Sequence, residues 1–280
     1  MNLPKRTDLP YFTYGLFKST EPAHKQVAPF LEKSPARTNV KGSIFIRDGL
    51  PLLRVGGSEQ VIGELLYFRQ RYRDEAYGVI SRFEPREHYL WGKVFVEGKT
   101  VLANCLVGRQ MTEGNPSQFE ANEWGYKNDP VFTEGLKVVA DISKEYASTE
   151  FQNDPAHTFD WERLFLLQAA YLLLWSAIER YTALAYGPDL GPNERVNCLG
   201  IDAAFQGALK TVVSRTGEVV DSRDPAARKR LDPQDPKASI QYYYRVRSNL
   251  SHRGKGAYKD GEIIRRSLLE LQDIFNKMLK

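Results

Sequence analysis

Hydrophobic periodicity changes once along this chain, and that change constrains the fold more than any other feature. Up to about residue 110 the sequence reads as short strands with glycine punctuation: "YFTYGLF", "GSIFIRDGLPLLRV", "VIGELLYF" and "YLWGKVFVEGKTVLANCLVG". β-Branched and aromatic residues dominate these runs, and Gly-Gly, Asp-Gly and Glu-Gly mark turns. "FVEGKTVLA" reads as a hairpin, while "SEQVIGELL" and "RQRYRDEAYGVISRF" leave room for helical stretches. From about residue 130 the spacing turns helical. Asp129-Pro130 is a cap and first-turn signature, followed by Val131, Leu136, Val139, Ile142 and Tyr146. A long helix is expected from about Thr158–Asp160 to Tyr186, stopped by Gly187-Pro188. A third begins near Asn197. A fourth follows Asp235-Pro236 and ends at Gly254, where glycine suits a left-handed cap. The last carries Ile264, Leu268, Leu271, Phe275 and Met278 along one stripe, and residues 214–237 read as a polar, proline-bearing loop. The expected fold class is therefore α+β and multidomain. A small mixed α/β barrel over residues 1–118 precedes an all-α helical bundle over residues 128–280.

Composition narrows the class. A hydrophobic content of 42% is enough to fill two interiors, which argues against wholesale disorder. The start, "MNLPKRTDLP", has no apolar stretch, so no signal peptide is expected. The most apolar run, Leu164–Ile178, is shorter than the roughly 20 residues of a membrane span and reads as a core helix, so no membrane association is expected. Two cysteines, Cys105 and Cys198, form no CxxC or Cys/His cluster; neither a metal site nor a cofactor is expected, and a reducing cytoplasm fits. "NLS" at Asn249–Ser251 matches a glycosylation sequon only by chance if nothing is secreted.

Charge is uneven. Residues 221–260 hold ten Lys/Arg against five Asp/Glu, and from Arg245 to Lys259 five basic residues meet no acidic one. Such a field favours a polyanion, though a solvated basic surface has the same composition. Within it lies "RVRSNLSHRG" (245–254), with Arg247 and His252 five positions apart. The bare spacing decides nothing, since Arg82 and His88 lie six apart in the strand-rich half. Context decides: Arg247 and His252 close a bundle helix behind the Tyr242–Tyr244 run.

Here the chain resembles the HEPN superfamily, helical-bundle proteins many of which are metal-independent ribonucleases. The family pattern is Arg, a polar residue, three more, then His, often followed by a basic residue and glycine. Arg247, Ser248, Asn249, His252 and Arg253 match it, with Ser248 where Asn, Asp or His is more usual. Glu179, late in the long helix, stands where the family carries a polar residue. The resemblance covers about residues 130–280 and implies RNA as the partner. The 2′-OH would be the nucleophile, His252 would move the proton, and Arg247 would stabilise the phosphate. Products would be a 2′,3′-cyclic phosphate and a 5′-OH. Five residues on a helix turn by about 140°, so Arg247 and His252 do not share a face. Family members meet this with a homodimer through the bundle, and the same is expected here. Arg245, seven before His252, shares its face and is the fallback phosphate ligand.

A second resemblance rests on "YFTYGLFKS". Gamma-glutamylcyclotransferase-like proteins carry a strand ending in Tyr-Gly-x-Leu whose amides grip a substrate carboxylate. Tyr14, Gly15, Leu16 and Phe17 match, with Phe17 replacing the usual Leu. Gly42, Pro51 and "VIGELLYF" follow in order, and "ISRFEPREHYLWGKVFV" places the catalytic glutamate at Glu84, near Tyr89. Ser81 for Asp and Pro85 for Gly depart from the family beside Glu84, so the fold is implied more firmly than the activity. The resemblance covers about residues 9–110 and implies a small amino-acid-like ligand. Such a fusion suggests a ligand-restrained nuclease, by analogy a bacterial toxin or anti-phage effector. Two alternatives stay open: a cyclotransferase centred on Glu84, and a non-catalytic nucleic-acid or nucleotide platform.

Overall fold

The structure is a computed structural model of the 280-residue chain; it describes residues 1–98, 100–109, 117–151, 160–221, 224, 226–253 and 260–280, with the backbone alone at 252 and 253. The chain mixes α and β structure and divides into two units. The first is Met1–Pro130 with Ala183–Asp189, and the second is Val131–Thr182 with Leu190–Lys280. Among the described residues, no helix is long and apolar enough to cross a membrane.

The first unit is built on β1 (Tyr11–Thr13), β2 (Ala36–Arg47), β3 (Leu50–Leu66), β4 (Tyr89–Val96), β5 (Val101–Gly108) and β6 (Ser117–Gln118), in the sheet order β4-β5-β1-β3-β2-β6. Asp48 (φ 51°) and Gly49 (φ 74°) form the two-residue turn between β2 and β3. Positive φ at both positions is what an Asp-Gly hairpin requires. The sheet curls, because the Glu97 amide beyond β4 donates to Asn39 O of β2 at 3.0 Å. The mixed α/β barrel that the strand pattern suggests is here a curled six-strand half-barrel. The outer edge of β2 pairs with only two residues of β6, too few to complete a wall.

The strand expected at "VIGELLYF" forms as far as Leu66 and extends back through Ser58–Gln60, where "SEQVIGELL" also allowed a helix. Thr38–Lys41 pair with Gln60–Gly63 of β3, and Val61 and Leu65, four residues apart on one face of the strand, are buried. Gly63 is needed there: a Cβ would stand 2.3 Å from Thr13 O on β1. Gly63→Ala is expected to destabilise the first unit by roughly 2–3 kcal/mol, because a backbone neighbour cannot yield as a rotamer can. Denaturant unfolding checks this, and an unchanged midpoint would show that β1 and β3 separate easily.

Besides the short α1 (His24–Val27), the sheet is packed by α2 (Arg73–Phe83), which buries Ala76, Tyr77 and Ile80. Tyr77 meets Tyr11 and Trp91 edge-on at 6.2 and 5.4 Å, while its hydroxyl donates to Leu9 O and accepts from Asn104. Buried aromatics with satisfied hydroxyls fix α2 over β1 and β5.

In the second unit, a π-turn (Val131–Gly135) leads into α3 (Leu136–Tyr146), followed by α4 (Trp161–Tyr186), α5 (Pro192–Ile201), α6 (Ala203–Val212), α7 (Pro236–Arg253) and α8 (Gly261–Met278). The last turn of α4, from Ala183, counts with the first unit. Asp160 caps α4 by accepting from the Arg163 amide at 2.9 Å, and Asp235 caps α7 by accepting from Ala238 at 3.0 Å. The third helix starts at Pro192 rather than near Asn197, with Glu194 accepting from the Gly191 amide ahead of it. The stripe on α8 is buried at Ile264, Leu268, Leu271 and Phe275. The unit is not all-α. Residues read as a loop contain the hairpin β7 (Gly217–Val220) and β8 (Arg228–Leu231). Glu218 stands opposite Arg230 and bonds diagonally to Arg228, so charged residues that read as loop-formers are cross-strand partners.

Candidate functional site

α2 stops at Glu84 for a local reason. Proline disfavours helical backbone in the residue before it, and Glu84, preceding Pro85, takes φ −97° and ψ 129° while its amide still donates to Ile80 O. The side chain ends 93% buried, in a cavity lined by Tyr11 and Thr13 of β1, Tyr14, Gly15 and Leu16 of the following turn, Pro51, Tyr89 and Leu106. Two neighbouring phenols are already committed. Tyr14 donates to Leu106 O at 2.9 Å and accepts from the Leu53 amide, and Tyr89 donates to Pro51 O at 2.7 Å. Glu84 Oε2 is left buried without a hydrogen-bond partner. Burial without a compensating donor or cation disfavours the carboxylate and pushes the Glu84 pKa up to about 8. At neutral pH Glu84 is therefore a protonated acid that exchanges its proton close to neutrality.

The structure thus brings Glu84 together with Tyr14, Gly15, Leu16 and Tyr89. Phe17 is not with them: it is wholly buried and packs edge-on against Tyr11 and Phe83. The turn itself is closed by the Lys18 amide donating to Gly15 O, and the Leu16 and Phe17 amides have no partner among the described residues. The cavity offers water-sized molecules about 10 Å³, about what one water needs, so a larger ligand requires it to widen. Tyr11 and Thr13 were missed as wall residues; strand alternation places them on one face of β1 but does not say which face is concave.

The motif helix is described up to its last two side chains. Tyr171 of α4 donates to Tyr243 O of α7, and Trp175 packs on Tyr244 at 5.6 Å. One turn further along α4, Glu179 accepts from the Trp175 indole at 3.0 Å and pairs with Arg247 at 3.4 Å. Arg247, a candidate catalytic residue, is thus already compensated by Glu179, as a structural arginine would be, and both remain partly exposed. Arg245 points elsewhere: it is ion-paired with the buried Asp221 at the end of β7. One turn on, Asn249 donates to Val220 O at 2.9 Å. These contacts change two expectations: Arg245 is already compensated and is a poor fallback phosphate ligand, and Asn249 is tied to the hairpin. Ser248 is 9% exposed. The side chains of His252 and Arg253, and Gly254, lie outside the described residues. No group of His, Cys, Asp and Glu among the described residues is arranged to hold a metal.

No described protein family matches the chain, and no curated protein does. Among solved structures, the uncharacterised protein PH0828 from Pyrococcus horikoshii is similar over 45% of this chain and 96% of its own, at 14% identity and a TM-score of 0.32. A likeness that distant assigns neither fold nor function to the chain.

Proposed function

We propose that the first unit is a small-molecule site performing intramolecular aminolysis of γ-glutamyl amides, as the cyclotransferases it resembles do. The observation that carries this reading is Glu84, a buried carboxyl with one unpartnered oxygen in the cavity walled by the Tyr14–Leu16 turn. Its pKa of about 8 nears that of an α-ammonium group, so proton transfer between them is almost balanced. Ionised Glu84 takes a proton from the substrate's α-ammonium, and the freed amine attacks the γ-carbonyl. As the ring closes, the attacking nitrogen loses its second proton to solvent, and the protonated Glu84 gives the first to the leaving nitrogen as the C–N bond breaks, releasing 5-oxoproline and an amine. The Leu16 amide, in the cavity wall, is a donor available to a substrate carboxylate. The test is 5-oxoproline release from a panel of γ-glutamyl dipeptides and amides. Glu84→Gln is expected to lower the rate about 10²–10⁴-fold. No release from any member of the panel would overturn the reading.

A second reading, ribonuclease action at the end of α7, rests on the Arg247–His252 motif and a partly exposed guanidinium; the Glu179–Arg247 pair is what a purely structural arginine would also make. Arg247 would hold the scissile phosphate, His252 would take the 2′-OH proton, and a homodimer would bring two such helix ends together. Light scattering at micromolar concentration tests the dimer, and a clean monomer would remove this form of the mechanism.

A further inference from the structure

Glu84 also lines a second cavity in the first unit, of about 450 Å³, within the range of small-molecule sites. Two arginines line it, Arg82 in the last turn of α2 and Arg86 just beyond. Neither guanidinium has a hydrogen-bond or ion-pair partner among the described residues. Arg82 lies back across its own helix, with Nη1 3.7 Å from where a Cβ on Gly78 would stand. Asp189 lines the same cavity, as does Met1, whose ammonium donates to Ser81 O at 3.3 Å. Leu3 and Pro85 add an apolar wall.

We propose that this cavity binds a small molecule carrying a phosphate or carboxylate on an apolar body, held by Arg82 and Arg86. Guanidinium groups suit both anions, because their planar fork matches paired oxygens. The cavity leaves both forks open to solvent, and Glu84, Pro85 and Leu3 line it beside them. The site does not depend on Glu84 acting in catalysis.

The test is titration calorimetry of the full chain with phenyl phosphate, benzoate and, as a neutral match in shape, benzyl alcohol. At least one anion is expected to bind with a Kd near or below about 1 mM, and the alcohol at least tenfold more weakly. The stronger of the two anions names the source of the charge. In Arg82→Gln/Arg86→Gln the anion should bind at least tenfold more weakly, because two charge-assisted bonds are lost. Both residues are exposed, and a circular dichroism spectrum matching the parent's establishes that the variant is folded. Benzyl alcohol binding as tightly as the anions, unchanged anion affinity in the folded double variant, or no anion binding at 10 mM or so would each overturn the proposal.

Discussion

Replacing Glu84 with glutamine is expected to remove a pH-dependent loss of stability of about 3 kcal/mol between pH 4.5 and 7. The direction follows from protons bound in each state. In the unfolded chain Glu84 ionises near 4.5, whereas burial holds it protonated to about 8 in the folded protein. Between those values the folded state binds the extra proton, so stability falls as pH rises, by about 1.4 kcal/mol per unit from this group. Below 4.5 its contribution is fully present, and above 8 the loss is complete. A glutamine is neutral throughout and lacks this slope. Comparing slopes rather than single values also cancels the fixed cost of the second amide hydrogen. Amide exchange in β1 and β5 isolates the first unit from the second. Parallel stability profiles for parent and variant would mean that Glu84 is ionised in the folded protein, and the proton-transfer reading would fall with it.

RNA cleavage in EDTA is expected to fall about 10²–10⁴-fold in His252→Ala, the range for losing a general acid–base. In Arg247→Ala a loss of about 10²–10³-fold is expected, as for a group that stabilises developing charge. The structure changes what Arg245→Ala means. That substitution strips the buried Asp221 of its cation and loosens the β7–β8 hairpin, so its first effect is on stability. A loss of cleavage in folded Arg245→Ala as deep as in Arg247→Ala would show that the wrong arginine was chosen. Glu179→Gln offers a finer reading: it frees Arg247 without removing it, and should weaken cleavage less than Arg247→Ala. Cleavage of DNA alongside RNA would contradict attack by the 2′-OH, and an intact rate in His252→Ala would remove the ribonuclease reading.

Much of the local structure is legible in short stretches of sequence. The Asp48-Gly49 turn, the caps at Asp160 and Asp235, the end of α2 before Pro85 and the buried stripe of α8 depend on residues within about one turn of each other. Their signals are backbone sterics and nearby hydrogen bonds, which neighbours along the chain already specify. Of the residues around Glu84, Tyr14, Gly15, Leu16 and Tyr89 are legible through the resemblance of "YFTYG" and its downstream markers, whereas Tyr11 and Thr13 are not. Elsewhere local reading went astray. "SEQVIGELL" alternates weakly enough to suit a helix until pairing with β2 selects the strand, and the charges of 217–231 signal a loop until Glu218 and Arg230 face each other.

What only the tertiary structure decided is which polar groups are left with partners. Arg245 and Arg247 are two residues apart on one helix, in the same basic run, and sequence ranks them by motif alone. A two-residue step turns them about 200° apart, so one meets Asp221 of the hairpin and the other Glu179 of α4. Glu84 shows the same dependence. Its identity and position are written in the chain, but its acidity is set by Tyr14, Pro51, Tyr89 and Leu106, which exclude water and direct their own hydrogen bonds elsewhere. A carboxyl's charge depends on what surrounds it in space, and those residues lie up to 70 positions away.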